Sequence, residues 1–302
     1  MRVLLLGGAG QLATSLSEAL AGDELISLTH QDLDICEATA VSDAVRSVAP
    51  EVVVNTVAIR RPDDCEAAPD RAFAVNALGV RNVAQACSDS GCALLQVSTD
   101  NVFDGMKRSP YVERDAPNPI TTYGMSKLVG EFFTRHLVRK HYVVRTSALF
   151  GGSGNRGESN FVLRTIRRAS EDGLVSMATD QCVSPTYTVD LARKLAWLMR
   201  TGAYGTYHIA NAGECTWYEF AKAIVAEAGL AARVEPTTTA ALNLRAPRLG
   251  YGVLANGALR EMGADDMPPW RDALIRYLRL HGLAKPDAQA PLLITPSGRA
   301  ST

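Results

Sequence analysis

A tyrosine and a lysine, Tyr123 and Lys127, lie four residues apart in the segment YGMSKLVGE at residues 123–131. Reduction of a ketone needs a hydride at carbon and a proton for the developing alkoxide. A tyrosine can donate that proton if a nearby cation lowers its high pKa. Residues four apart are neighbours on any helix, so the pair also fits an ordinary helix surface. The surrounding elements must decide between the two interpretations.

A second segment, VSTDNVFDG at residues 97–105, begins at the carboxyl end of a predicted strand. In a doubly wound sheet the ligand crevice lies outside such strand ends, so Ser98 and Thr99 are expected at the crevice. The tyrosine and lysine follow at the start of the next long helix and reach the same place. We predict that Tyr123 donates the proton, that Lys127 lowers its pKa and holds the nicotinamide ribose, and that Thr99 donates a hydrogen bond to the same oxygen. A Ser-Thr-Asp turn or cap is the alternative.

A glycine-rich turn, GGAGQLA at residues 7–13, separates a predicted strand from a predicted helix. Gly7 and Gly10 allow a tight turn and a close approach of the backbone to a pyrophosphate, whose charge the free N–H groups at the helix start stabilise. Ala13 occupies the third position of the pattern and still allows close helix packing. A plain strand-to-helix connection is the alternative interpretation.

The second predicted strand ends in SLTHQDLDI at residues 27–35, with no acid at its tip to hold an adenine ribose. A missing acid tolerates a 2′-phosphate, which favours NADPH, with NADH as the alternative. Asp34 and Ile35 are better placed to flank the adenine. Simple turn chemistry is the competing role for Asp32 and Asp34.

Five short apolar runs have the character of buried parallel strands: RVLLLG, ELISLT, EVVVNTVA, ALLQVST and YVVRTS. Segments with helical spacing lie between them, at residues 12–21, 38–48, 68–88 and 122–137. This alternation predicts an α/β fold, a doubly wound parallel sheet with helices on both faces. Residues 1–150 are predicted to form the dinucleotide-binding domain.

Beyond residue 150 the regular alternation of strands and helices ends. Helices are predicted at 189–200 and 217–228, with short strands LVSMA and TYHIA. We predict a smaller α/β substrate-binding region over residues 151–284, interleaved with the first domain. The tail at 285–302 is rich in Pro, Ser, Gly and Ala and is expected to be flexible.

Composition narrows the function further. A formal net charge of −1 gives no electrostatic footprint for nucleic acid or an anionic membrane, and no apolar run is long enough to cross a bilayer. Six scattered cysteines without a CxxC pair favour a reducing cytoplasm. The five histidines show no ligand spacing, so no metal site is expected.

The chain resembles the dTDP-4-dehydrorhamnose reductase family of extended short-chain dehydrogenases/reductases over residues 1–282. The resemblance rests on the three motifs above together with VRTSALFG, DQCVSPTYTVDLA, GTYHIANAGECTWYEFA, RAPRLGYGVL and PPWRDALIRYL. It implies NAD(P)H binding by the sheet domain and reduction of the 4-keto group of a nucleotide-linked 6-deoxysugar. It also leaves room for a homodimer.

The resemblance assigns residues to roles. Thr99, Tyr123 and Lys127 match the family's catalytic triad. The cofactor-binding residues are then Gly7, Gly10, Gln11, Leu12, Asp34, Ile35, Asn55, Ala58, Asn76, Ser98, Tyr123 and Lys127. The substrate-binding residues are Arg60, Val102, Phe103, Ala148 and Arg245, and the segments SPT (184–186) and 245–248 are expected to close over the nucleotide-sugar.

Several positions depart from the family pattern. Ala148 replaces a tryptophan, Asn101 a tyrosine and Val183 a glycine, and the segment VAIRRPD at 57–63 replaces a loop of the form AAYT. That segment is similar to one in the regulatory β subunit of methionine adenosyltransferase, which binds NADP. Its two arginines could also hold a phosphate or carboxylate, or lie in a solvated loop. Three functions therefore stay open: a nucleotide-sugar reductase, a reductase of a carboxylated or phosphorylated ketone, and a non-catalytic NADP-binding regulatory subunit.

Overall fold

The computed structural model describes residues 1–152 and 160–285. The strands are β1 (Arg2–Leu6), β2 (Glu24–Leu28), β3 (Val52–Asn55), β4 (Ala93–Thr99), β5 (His141–Thr146), β6 (Leu149–Phe150), β7 (Leu174–Ala178), β8 (Cys182–Val183), β9 (Thr186–Tyr187), β10 (Gly205–His208), β11 (Cys215–Thr216), β12 (Arg233–Thr237) and β13 (Tyr251–Gly252). The α-helices are α1 (Gln11–Ala19), α2 (Ala38–Val48), α3 (Pro62–Ala67), α4 (Pro69–Phe73), α5 (Val80–Ser90), α6 (Thr122–Leu137), α7 (Phe161–Asp172), α8 (Thr188–Leu198), α9 (Trp217–Glu227), α10 (Gly257–Glu261) and α11 (Trp270–Leu280).

Six parallel strands form the main sheet, in the order β2-β1-β3-β4-β5-β10. The five strands predicted from apolar runs are all present, and the predicted doubly wound fold is confirmed. The strand order reverses between β1 and β3, and sheets of this kind bind ligands in the crevice outside the carboxyl strand ends at such a reversal. This edge is therefore where the chemistry is expected.

The alternation of side chains along β1 explains why helices cover both faces. Val3 and Leu5 point into one core, which α1 and α8 close, whereas Leu4 and Leu6 point into the other, which α2 and α5 close. All four side chains are buried. Burial on both faces is the reason the sequence of this strand is continuously apolar.

The helix predicted over 68–88 is wrong as a single element. It is divided into α4, a π-helical turn at Ala74–Gly79, and α5. The widened turn points the Asn76 side chain at the loop after β3, where its amide hydrogen-bonds both the N–H and the C=O of Ile59. Gly79 packs against Ile35, whose Cδ1 would lie 2.8 Å from an added Cβ. Tertiary contacts, not helical periodicity, fix this segment.

Most of the chain after β5 forms three small sheets, but one of its strands also joins the main sheet. Strands β7 and β12 pair in parallel, β11, β8 and β13 form a small sheet, and β6 pairs with β9. Strand β10, the predicted TYHIA strand, instead joins the main sheet beside β5, and α8 packs on α1. The predicted flexible tail lies outside the described residues after Lys285. Among the helices of residues 1–152 and 160–285, none has the length and apolarity to span a membrane.

Candidate active site

The turn after β1 has the features of a pyrophosphate site. Gly7 adopts φ +88°, and Gly10 N–H donates to the Gly7 carbonyl at 2.8 Å. A Cβ on Gly8 would lie 2.2 Å from Ser27 Oγ, so any larger residue there would require the Ser27 side chain to move. Gly10 is the N-cap of α1, and no side chain caps the helix, which leaves backbone N–H groups directed into the crevice. These residues fit the diphosphate of a dinucleotide.

The predicted adenine end of the crevice lies at the loop after β2. Asp32 accepts hydrogen bonds from the backbone and hydroxyl of Thr29, and Asp34 accepts one from Cys36 N–H at 2.9 Å. Both carboxylates are therefore used in turns, the alternative raised from the sequence. Ile35 is 2% exposed and packs in the core, and Leu12 is likewise buried. The contacts of Asp34, Ile35 and Leu12 with a cofactor stay predictions.

The loop after β3 forms the opposite wall. Asn55 is fully buried and donates to Gln96 Oε1 at 2.8 Å, joining β3 to β4. Asn76 holds Ile59 at both backbone groups and also donates to Ser126 Oγ on α6 at 3.0 Å. Ala58 lies half-buried between these anchored points. The side chains of Asn55 and Asn76 thus fix the loop, while Gln11 reaches across to the Leu149 carbonyl at 3.5 Å.

The three predicted catalytic residues meet at the carboxyl end of β4. The Thr99 hydroxyl donates to Asp100 Oδ1 at 2.9 Å, accepts from Asn101 N–H at 3.1 Å, and lies close enough to Tyr123 to influence its pKa by a hydrogen bond. Lys127 lies one helical turn from Tyr123, is 4% exposed, and donates from Nζ to the Val97 carbonyl at 2.7 Å. The spacing singled out in the sequence brings these groups together.

Burial dominates the protonation of this pair. It raises the pKa of Tyr123 above its ordinary value of 10.0, against the lowering effects of the Thr99 hydrogen bond and the Arg60 charge. It also lowers the pKa of Lys127 to about 8, although the nearby Glu131 carboxylate opposes this. Tyr123 therefore carries its proton at neutral pH, as a proton donor must. The predicted lowering of the tyrosine pKa by Lys127 stays a prediction.

Hydrogen bonds at the start of α6 fix the tyrosine's position. Thr121 caps the helix by accepting from Gly124 N–H. Glu66, on α3, accepts from both the N–H and the hydroxyl of Thr122, each at 2.7 Å. Sequence reasoning missed Glu66, because nothing in its local pattern distinguishes it from a solvated helix residue. It also missed Asp100, for which the acid within VSTDNVFDG was an available signal.

A buried ion pair joins α6 to β5. Arg145 makes two hydrogen bonds to Glu131, at 2.9 and 2.7 Å, and both residues are at most 1% exposed. Ser98 donates to Glu131 at 2.6 Å, and Arg145 approaches His208 Nε2 at 3.4 Å. Ser98, predicted to bind the cofactor, thus has a structural partner. This network connects β4, β5, β10 and α6.

The predicted substrate residues divide by exposure. Val102 and Phe103 are fully buried, and Phe103 stacks on Tyr111 with ring centroids 4.2 Å apart. Core packing occupies both side chains, and their contact with a substrate stays a prediction. Ala148 has φ +45°, a left-handed conformation unusual for a residue with a Cβ. Arg60 and Arg245 are exposed.

A contact between distant segments joins the two walls of the crevice. Asp63, at the start of α3, accepts from Ala246 N–H at 2.9 Å and forms an ion pair with Arg248. Burial alone would raise the pKa of Asp63, but the hydrogen bonds from Ala246 and Arg248 outweigh it. The pKa therefore lies below its ordinary value, and the carboxylate is charged. The predicted segment 245–248 is thereby held against the loop after β3. Among the described residues, no group of three or more His, Cys, Asp or Glu could hold a metal ion.

The parallel doubly wound sheet, with its glycine turn after β1 and its small second layer, defines an extended short-chain dehydrogenase/reductase fold. Comparison with known families gives the finer assignment, since the RmlD substrate binding domain family matches residues 1–281. The chain belongs to this family, and the predicted resemblance is confirmed.

Individual relatives support the same assignment. A dTDP-4-dehydrorhamnose reductase of Streptomyces griseus is 38% identical over 282 residues, which cover 90% of this chain and 91% of the relative. The solved structure of a dTDP-4-dehydrorhamnose reductase from Clostridium acetobutylicum has a TM-score of 0.90 at 37% identity and covers 93% of this chain and 100% of that one. A third, from Bacillus anthracis, was solved in complex with NADP, with a TM-score of 0.89 at 37% identity, covering 92% of this chain and 99% of that one.

Proposed function

We propose that this chain is an NADPH-dependent reductase of a keto group on a nucleotide-activated deoxysugar, as in dTDP-4-dehydrorhamnose reductase. The observation that carries the proposal is the meeting of Thr99, Tyr123 and Lys127 at the carboxyl end of β4. These groups lie at the edge of the sheet where the strand order reverses, and relatives at 35–38% identity bear reductase names.

The residues present fit a dinucleotide, as the uncapped start of α1 and the turn at Gly7 and Gly10 indicate. NADPH, when bound, supplies the hydride. Gly7, Gly10 and the N–H groups of Gln11 and Leu12 would hold the diphosphate, and Lys127 would hold the nicotinamide ribose. The Asp32 carboxylate is held directly after β2 by two hydrogen bonds from Thr29. The choice of NADPH is supported by the Bacillus anthracis relative, which was solved in complex with NADP.

Tyr123 and Thr99 carry the chemistry at oxygen. Tyr123, protonated because its buried phenol has a raised pKa, donates its proton to the alkoxide as that charge develops. Thr99 donates a hydrogen bond to the same oxygen after turning from Asp100. Lys127 stabilises the tyrosinate that remains, and the Val97 carbonyl holds the lysine in place.

The second segment of the chain is proposed to bind the sugar-nucleotide. We infer a division at about residues 1–150 and 151–284, with β10 and α8 returning to complete the sheet. The segments 184–186 and 245–248 would close over the substrate, the latter held by Asp63. A cytoplasmic location follows from six free thiols, all within the described residues. A homodimer stays a prediction.

The test is NADPH oxidation by the purified chain, followed by nicotinamide absorbance with dTDP-4-dehydro-6-deoxy-L-mannose as substrate. Tyr123→Phe should lower kcat by roughly 10²- to 10⁴-fold with little change in NADPH affinity, because it removes only the proton donor. Tyr204→Phe, at an exposed tyrosine before β10, is the matched control and should retain full activity.

Two outcomes would contradict the proposal. Near-normal turnover by Tyr123→Phe would remove the mechanism. Tight NADPH binding without oxidation of any keto-sugar would favour the alternative of a regulatory subunit, in which the cofactor site serves a partner enzyme.

A further inference from the structure

The residue immediately before Tyr123 is held by a carboxylate from another helix. Glu66, on α3, accepts a hydrogen bond from Thr122 N–H with one oxygen and from the Thr122 hydroxyl with the other, each at 2.7 Å. Thr122 is 7% exposed, so water competes little for these bonds. Two short hydrogen bonds to one carboxylate restrict both the position and the rotation of the first turn of α6. The side chain of Tyr123 starts from that turn.

Other contacts confine the same turn. Ser126 Oγ donates to the Tyr123 carbonyl at 2.8 Å and accepts from Asn76 at 3.0 Å. A Cβ added to Gly124 would collide with the Asn101 carbonyl, so the turn packs directly on the loop after β4. The turn therefore lies between that loop, the π-helical turn and α3, and its place depends on how firmly α3 is held.

Helix α3 is itself fixed at its other end. Asp63, three residues before Glu66, accepts from Ala246 N–H at 2.9 Å and forms an ion pair with Arg248. Between the two carboxylates, Cys65 is fully buried and ties the helix to the core. Residues three apart on a helix are neighbours. One short helix thus connects the segment expected to close over the substrate with the turn that carries the proposed proton donor.

We propose that Glu66 is a positioning residue for the reduction. Through Thr122 it sets where the phenol of Tyr123 lies, and α3 links that position to the 245–248 segment. The inference rests on the proposed function, since it takes Tyr123 as the proton donor. Proton transfer needs the two oxygens within hydrogen-bond reach, and a displacement of about 1 Å can lower a rate by roughly 10²-fold. Glu66 acts in this way without touching the substrate.

The first test separates turnover from binding. Glu66→Ala should lower kcat for NADPH oxidation with dTDP-4-dehydro-6-deoxy-L-mannose by roughly 10- to 100-fold, because the phenol loses its fixed place. KM for the sugar and Kd for NADPH should stay within about twofold of the wild type, because Asp63 still holds the substrate segment. Glu66→Gln should keep kcat within about threefold, since its amide can accept from Thr122 N–H and donate to the hydroxyl.

Glu219→Ala is the matched control. Glu219 accepts from the N–H and the hydroxyl of Thr216, at 2.8 and 3.0 Å, at the start of α9. Its loss removes the same pair of bonds from another helix and should leave kcat within about twofold of the wild type. An equal fall of kcat in both alanine variants would overturn the proposal, since it would reflect a general loss of helix capping.

The link through α3 is tested by a double variant. Asp63→Asn removes the charge paired with Arg248 and should lower kcat by roughly threefold in the wild-type background. In the Glu66→Ala background it should lower kcat no further, because the connection to Thr122 is already broken. Additive losses would overturn the link.

A second measurement requires no turnover. Carbon-13 NMR of the NADPH-saturated chain, labelled at tyrosine Cζ, reports the surroundings of each phenol, and Tyr123→Phe identifies the Tyr123 signal. That signal should shift or broaden in Glu66→Ala and stay in place in Glu66→Gln and Glu219→Ala. An unmoved signal or a wild-type kcat in Glu66→Ala would overturn the positioning role. A shifted signal in a chain that never oxidises NADPH would instead reject the reductase proposal and retain the hold of Glu66 on Tyr123.

Discussion

Two groups of charged residues differ in how their charges are paired. Glu131 on α6 and Arg145 on β5 are fully buried, joined by two hydrogen bonds and contacted by Ser98 and His208. Arg60, Arg61 and Arg164 form the second, crevice group: burial and then the charges of the first two lower the pKa of Arg164, and none of the three has an ion-pair partner among the described residues. The buried pair is complete without a ligand, whereas the crevice group is not.

The two groups differ in what stabilises their charged side chains. A buried ion must be paired, because removing one partner leaves a charge that water cannot reach. A partly exposed cation keeps some hydration and can remain unpaired until a ligand arrives. The buried group is therefore expected to control stability, and the crevice group to control binding. Three measurements on variants test this division, from the largest expected effect to the smallest.

The largest effect is expected at Glu131. Glu131→Gln leaves Arg145 buried and without its counter-charge, which should lower the free energy of unfolding by about 3–5 kcal/mol. Urea denaturation measures the loss. Asp43→Asn is the matched control, because it removes an exposed partner of Arg46 and should cost at most about 0.5 kcal/mol. Equal losses in the two variants would break the comparison.

A smaller effect is expected on acidification. His208 is fully buried; burial, followed by the charge of Arg145, lowers its pKa from 6.5 to about 3. Its Nδ1 faces the Tyr111 carbonyl at 3.0 Å and Nε2 faces Arg145, so the neutral ring with the proton on Nδ1 satisfies both partners. The unfolded chain takes up a proton below pH 6.5 while the folded chain does not, so stability falls as pH drops from 6.5 towards 3.

This linkage amounts to about 2 kcal/mol of stability between pH 6.5 and about pH 5. Urea titrations at both pH values should show the loss in the wild type and in His30→Gln, which alters an exposed histidine. His208→Gln should show a loss smaller by that amount, even if the variant is less stable overall. An unchanged pH dependence in His208→Gln would show that the ring takes up its proton equally in the folded and the unfolded chain, which contradicts the lowered pKa.

The smallest effect is expected at the crevice. Arg61→Gln and Arg164→Gln should change the free energy of unfolding by no more than about 0.5 kcal/mol, because each removes a cation that has like-charged neighbours and no ion pair. Chemical denaturation without ligand measures this. A loss comparable to that of Glu131→Gln would mean that these arginines are structural, which contradicts the proposed division.

Much of the fold followed from sequence patterns. The apolar runs at β1, β3 and β4 could be recognised because strands buried on both faces are continuously hydrophobic. Helices α2 and α6 have the predicted bounds. The failure over 68–88 came from a tertiary cause, since the π-helical turn exists to bring Asn76 to Ile59. Local periodicity contains no trace of that contact.

The candidate site was predictable only where residues act through local spacing. Tyr123 and Lys127 lie one turn apart on a helix, and Thr99 ends a strand, so their meeting follows from the order of elements. Glu66, by contrast, holds the start of α6 through Thr122, which lies 56 residues further along the chain. Such partners become neighbours only after the chain has folded.

The sequence by itself thus determined the class of fold, the family and the candidate reacting groups, because these depend on short-range patterns of apolar, glycine and polar residues. The tertiary structure alone decided which charges are paired. It buried Glu131 with Arg145, turned Asp63 to the 245–248 segment, and left Arg60 and Arg164 without an ion-pair partner among the described residues. The physical reason is that hydration and Coulomb energy depend on distance and burial in space, which separation along the chain does not fix.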